Sequence, residues 1–116
     1  MLKEELKQFY GSERFYKFHQ GTLLTEGVKY FAEKADAFWL ISDITINCKL
    51  RKELKNEDFI VVKVFPPEFT EGVIVKYEDG DDNELLEEYY QYALLPDNES
   101  YKFWFTNNVL LLPSEY

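Results

Sequence analysis

Leu2, Leu6 and Phe9 recur at helical spacing and Gly11 follows them, so the first ten residues suit a short helix. Arg14 to Gln20 (RFYKFHQ) alternates loosely and is aromatic, which predicts a strand or extended segment. Thr25 then stands as an N-cap before a helix whose apolar stripe is Val28, Phe31, Ala32 and Ala35, with Lys29, Glu33 and Lys34 on the wet side. A second helix follows, with Asp36 as its expected cap. Ala37, Leu40, Ile41, Ile44 and Cys48 fall on one face, and Phe38 and Trp39 broaden the apolar surface, so this helix is expected to be the more buried one. The charged stretch Lys49 to Glu57 reads as a surface crossing.

From Phe59 the period changes to two. Phe59 to Phe65 (FIVVKVF) reads as a strand stopped by Pro66 and Pro67. Val73, Val75 and Tyr77 alternate with Ile74, Lys76 and Glu78, and Asp79-Gly80 opens a hairpin turn. Glu84 to Ala93 (ELLEEYYQYA) is ambiguous, because Leu85, Leu86, Tyr89, Tyr90 and Ala93 also satisfy helical spacing; the preceding turn favours a strand. Tyr101, Phe103 and Phe105 alternate with Lys102, Trp104 and Thr106, Asn107-Asn108 turns, and Val109 to Leu112 gives a last strand ended by Pro113. Helices first and strands afterwards predict a single α+β domain over residues 1–116, with the N-terminal helices packed on one face of a four- to five-stranded antiparallel sheet. The other face is expected to carry acids, tyrosines and Trp104.

Composition sharpens this picture. The 116 residues are 46% hydrophobic and include ten Phe, nine Tyr and two Trp, enough for one core. Nothing approaches the roughly 20 apolar residues of a membrane helix, and charges interrupt the start of the chain where a signal peptide needs an apolar centre. One cysteine permits no internal disulfide, so a cytoplasmic location is expected. The net charge of −9 is unevenly spread: residues 1–57 hold ten Lys or Arg against nine acids, and residues 58–116 hold three against thirteen. A half so negative repels phosphate backbones and anionic membranes, which argues against direct nucleic-acid or membrane binding.

The segments FYGSERF (Phe9 to Phe15), TEGVKYFA (Thr25 to Ala32), AFWLI (Ala37 to Ile41) and NVLLLPSEY (Asn108 to Tyr116) resemble the domain of unknown function 6876 family, a bacterial and phage group. The resemblance spans nearly the whole chain and implies a shared fold, with members that look like accessory genes of bacteria, phages or plasmids. It implies no activity, cofactor or catalytic residue. The acidic run from Glu78 to Glu88 looks heavier here than the family pattern.

Catalytic chemistry finds little support. His19 and Cys48 are the only residues of their types, and they read as a strand residue and a small core residue. Zinc needs more such ligands. An EF-hand frame with Gly80 at its sixth position puts Val75 at the first and Leu86 at the twelfth, and fails. No cofactor is expected. Asp43 lies off its helix's apolar stripe, and the five glycines are scattered singly, with no phosphate loop.

The acidic run Glu78, Asp79, Asp81, Asp82, Glu84, Glu87 and Glu88, with Tyr89, Tyr90 and Tyr92, therefore carries the functional question. Its plain reading is a solvated hairpin that protects a sheet edge. Its functional reading is a surface that docks on a basic protein partner, with Trp104 as an aromatic anchor. The sequence thus predicts a noncatalytic protein-binding module. Its alternatives are a mobile-element inhibitor that mimics nucleic acid in a basic groove of a nuclease or defence complex, a small enzyme with an unrecognised site, and a structural homo-oligomer.

Overall fold

In a computed structural model of the protein, residues 1–11 and 13–116 are described; Ser12, part of the Phe9–Phe15 segment, lies outside them. The first apolar triplet forms α1 (Leu2–Glu5) and a 3-10 turn, with Leu2 and Leu6 buried. The aromatic stretch after it supplies only a three-residue strand, β1 (Phe15–Lys17), before a 3-10 turn at His19–Gly21. β2 (Leu23–Thr25) runs directly into α2 (Glu26–Lys34), and the Thr25 hydroxyl accepts the Val28 N–H, as its N-cap position requires.

α3 (Phe38–Leu50) buries Leu40, Ile41, Ile44, Thr45 and Cys48. Two expectations fail around it. Asp36 does not cap the helix; it turns the chain at φ 51°, and Ala37 takes the N-cap position without a side-chain bond. Phe38 and Trp39 stay 40% and 43% exposed, because one helix face is already filled by the stripe and the first turn points these rings outward. In the charged stretch that follows, Leu54 is fully buried, a single apolar anchor that the surrounding charges conceal.

β3 (Phe59–Phe65), β4 (Val73–Glu78), β5 (Glu84–Tyr90), β6 (Tyr101–Thr106) and β7 (Val109–Leu111) complete a seven-stranded sheet in the order β1-β2-β7-β6-β3-β4-β5. The class is α+β, but the expected four- to five-stranded antiparallel sheet is corrected to a mixed one. β2 pairs parallel with β7 (Leu23↔Val109, Leu24↔Leu110), and the other neighbours are antiparallel. β1 and β7 are expected as strands from the sequence, whereas β2 is too short to display a period. A parallel pair closed across residues 26–108 leaves no local signal either.

One sheet face is sealed. Ile60, Val62, Val64, Val73, Val75, Tyr77, Phe103, Leu110 and Leu24 lie at most 1% exposed on that face. The Phe31 ring of α2 packs on Tyr101 and Phe103 at 4.9 and 5.2 Å. The intervening positions Leu23, Phe59, Val61, Phe65, Ile74, Trp104 and Val109 face the other way and are half-buried. Asn107 and Asn108 both have positive φ (52° and 62°), which matches the twist of the β6–β7 hairpin.

Candidate functional site

The β4–β5 hairpin holds most of the acids singled out above, and the pleat separates them. At the tip, Asp79 is part of the turn itself. Its Oδ1 accepts the N–H groups of Asp81 (2.8 Å) and Asn83 (3.0 Å), and its Oδ2 accepts the Asn83 amide at 3.0 Å. The Asn83 backbone bond, helped by that amide and by Asp81, holds its carboxyl below the ordinary aspartate range. Asp81 and Asp82 project from the tip, exposed, and form no ion pair among the described residues. No group of three or more His, Cys, Asp or Glu there could hold a metal ion, again among the described residues.

A register shift between Tyr77 and Glu78 sets Glu78 opposite Glu84. Like charges directly opposed repel, and two lysines on the same face offset them. Glu78 is 8% exposed and accepts Lys63 Nζ at 2.9 Å, which raises the lysine's pKa above its usual range. Lys76 Nζ lies 3.3 Å from Glu84 and 3.8 Å from Glu87. Glu87 stays exposed beside Tyr89, whose hydroxyl donates to the Glu71 carbonyl at 2.5 Å.

Glu88 and Tyr90 point to the opposite face, toward α3. Glu88 accepts Asn47 Nδ2 at 2.6 Å, Tyr90 Oη at 3.1 Å and Arg51 Nη1 at 3.4 Å. Asn47 also donates to the buried Tyr77 Oη at 3.1 Å. Tyr90 packs edge-on against Trp39 at 5.5 Å, and burial, then the charges of Glu88 and Asp43, push its phenol far up. These two residues fasten the edge strand to the helix. Tyr92 lies past the strand, 93% exposed. Trp104 sits half-buried on the open face between the rings of Phe59 (5.1 Å) and Tyr116 (5.4 Å), not under a helix.

His19 and Cys48 do not form a nucleophile–base pair. His19 Nε2 lies 2.9 Å from Ser42 Oγ, and its ring packs at a tilt against Phe18, 4.3 Å between centroids. Burial pushes the Cys48 thiol up to about 12, the opposite of what a thiolate nucleophile requires. Sequence reasoning also passed over two groupings. One joins Thr25, Gly27 and the buried Glu115. The other gathers four lysines around a cleft at the end of β6. The second has one signal in the sequence, parity: Lys63 and Lys102 both occupy outward positions of alternating strands.

Fold and surface together define a class, an α+β protein with a one-sided mixed sheet and an acidic hairpin at the sheet's edge. The chain belongs to a family of unknown function, DUF6876, whose model matches residues 1–116. Comparison with curated proteins and with solved structures returned no match. No described helix is long and apolar enough to cross a membrane.

Proposed function

We propose that this protein is a noncatalytic binding module that engages a basic protein surface through the β4–β5 hairpin and the adjoining open face of the sheet. The observation that carries this reading is an adjacency. Asp81, Asp82 and Glu87 are exposed at the edge of a sheet whose uncovered face presents Phe65, Ile74, Val61, Phe59 and Trp104 half-exposed beside them. Exposed charge steers encounter but adds little affinity by itself; a neighbouring aromatic and aliphatic strip supplies area to bury. Glu78, Asp79, Glu88 and Tyr90 support the surface from within the fold.

The test is capture of partners from host lysate at low and high salt. The wild type is compared with a variant carrying Asp81→Asn, Asp82→Asn and Glu87→Gln, and with a control carrying Glu13→Gln and Glu57→Gln at exposed acids elsewhere. A partner retained by wild type and control, lost in the hairpin variant and weakened by salt is the expected result. Displacement of that partner by a nucleic-acid polyanion would specify mimicry. Equal capture by all three proteins overturns the reading.

A further inference from the structure

β7 pairs with β6 only along Trp104–Thr106. Beyond Leu111 the chain leaves the sheet, because Leu112 N–H is taken by the Glu115 carboxylate at 3.0 Å and Pro113 has no N–H to offer a ladder. The other half of β6, Tyr101–Phe103, pairs with β3 on one side and has no strand on its other side among the described residues. A cleft of about 610 Å³ opens there, within the range of small-molecule sites. Its apolar lining comes from Leu6, Val64, Phe65 and Leu112. Two hydroxyls in its walls are engaged within the fold: Tyr101 Oη donates to the Pro96 carbonyl at 3.3 Å and Ser114 Oγ to the Phe9 carbonyl at 2.8 Å.

The rim has the opposite sign to the molecule. Lys3, Lys7, Lys63 and Lys102 are four of the twelve lining residues, and no Asp or Glu is among them, in a chain with 22 acids and 13 bases. A second observation points the same way. Lys63 and Lys102 are directly opposed in the β3–β6 register, on the same face. Such a pair repels. Glu78 offsets Lys63, whereas Lys102 is in no ion pair among the described residues. Lys3 and Lys7 pair with Glu99 (3.4 Å) and Glu4 (3.2 Å) in exposed bridges of the kind that exchange at little cost.

We propose that this cleft binds a small amphipathic anion, with its carboxylate or phosphate head at the lysine rim beside Lys102 and its apolar body along the apolar lining. The inference does not rest on the hairpin reading: the two share Phe65 and the Lys63–Glu78 pair, but the acids at issue there, Asp81, Asp82 and Glu87, do not line this cleft. Titration of the full chain with decanoate, decyl phosphate and decanol, followed by amide NMR shifts, tests it. One-to-one saturable binding of an anion is expected, with shifts at Leu6, Val64 and Tyr101, and decanol binding roughly tenfold more weakly. Whichever anion binds more tightly identifies the head group. Lys102→Glu should weaken anion binding by roughly tenfold or more and leave decanol unchanged. Ser100→Trp, at an exposed lining position, should weaken both by narrowing the cleft. Equal affinity for decanoate and decanol with no effect of Lys102→Glu overturns the proposal. So do shifts that map elsewhere, or the absence of saturable binding.

Discussion

Glu115 is a carboxylate hidden at 6% exposure, and its surroundings explain why it is tolerated. Oε1 accepts the Thr25 hydroxyl at 2.6 Å and the Leu112 N–H at 3.0 Å, and Oε2 accepts the Gly27 N–H at 2.9 Å. The last of these is an otherwise orphaned donor at the start of α2, where the helix dipole favours negative charge. Gly27 has to be glycine for this contact. A Cβ there would lie 2.5 Å from Leu112 Cδ1 and 2.7 Å from Glu115 Oε1. Glu115→Ala is therefore expected to lower the unfolding free energy by about 2–4 kcal/mol, the scale of a lost cap plus buried charge-assisted bonds. The check is a shifted urea midpoint at unchanged m-value. Gly27→Ala should destabilise as well, and the double variant should lose less than the sum, since both changes break one contact. Thr25 was legible as a cap from its place before an apolar stripe. Its carboxylate partner was not, because 90 residues separate the two and nothing local couples them.

At the scale of elements, legibility follows length and distance in sequence. β3 reads cleanly because seven residues show the two-residue period, and β4 and β6 do so with six each. β1 and β7 fall inside segments that read as strands, residues 14–20 and 109–112, but β2, three residues long and running straight into α2, shows no period. The acidic hairpin was visible as composition, whereas its division into tip, open-face and helix-facing acids needed the pleat and the register shift at Tyr77/Glu78. That division has a measurable consequence. β5 is an edge strand, and on the helix side Glu88 ties it to Asn47, Arg51 and Tyr90. Glu88→Ala leaves Asn47 and Tyr90 short of a partly buried partner and is expected to cost about 1–3 kcal/mol. Hydrogen exchange should show faster opening of β5 amides, with β3 and β6 little changed. Glu87→Gln, one position away and on the open face, should leave exchange unaltered. If both variants opened β5 alike, the fastening role of Glu88 would be wrong.

Over the whole molecule, charge is segregated and several weak acids are buried neutral, and the two facts make separable contributions at high pH. Burial pushes Cys48 up to about 12 and Tyr77 further above the phenol range, although the Asn47 bond draws Tyr77 partly back. In the unfolded chain the thiol loses its proton near pH ~8.5 and the phenol near ~10. Above those values the unfolded state binds fewer protons than the native state, so stability falls as pH rises; below them the contribution is fully present. Urea titrations should give a flat stability from neutral pH up to about pH 8 and a decline above it. The slope should approach about 1.4 kcal/mol per pH unit for each buried group whose unfolded form has ionised. Cys48→Ala should remove the first part of the decline, whatever it costs in packing at neutral pH. Self-repulsion of a chain already at −9 would also weaken the fold as tyrosines and lysines lose protons. Salt separates the causes, because it screens repulsion between exposed charges and leaves the cost of ionising a buried thiol or phenol nearly unchanged. A decline that persists in high salt and shrinks in Cys48→Ala belongs to the buried acids. A decline abolished by salt and indifferent to Cys48 would place the alkaline limit in the surface charge instead.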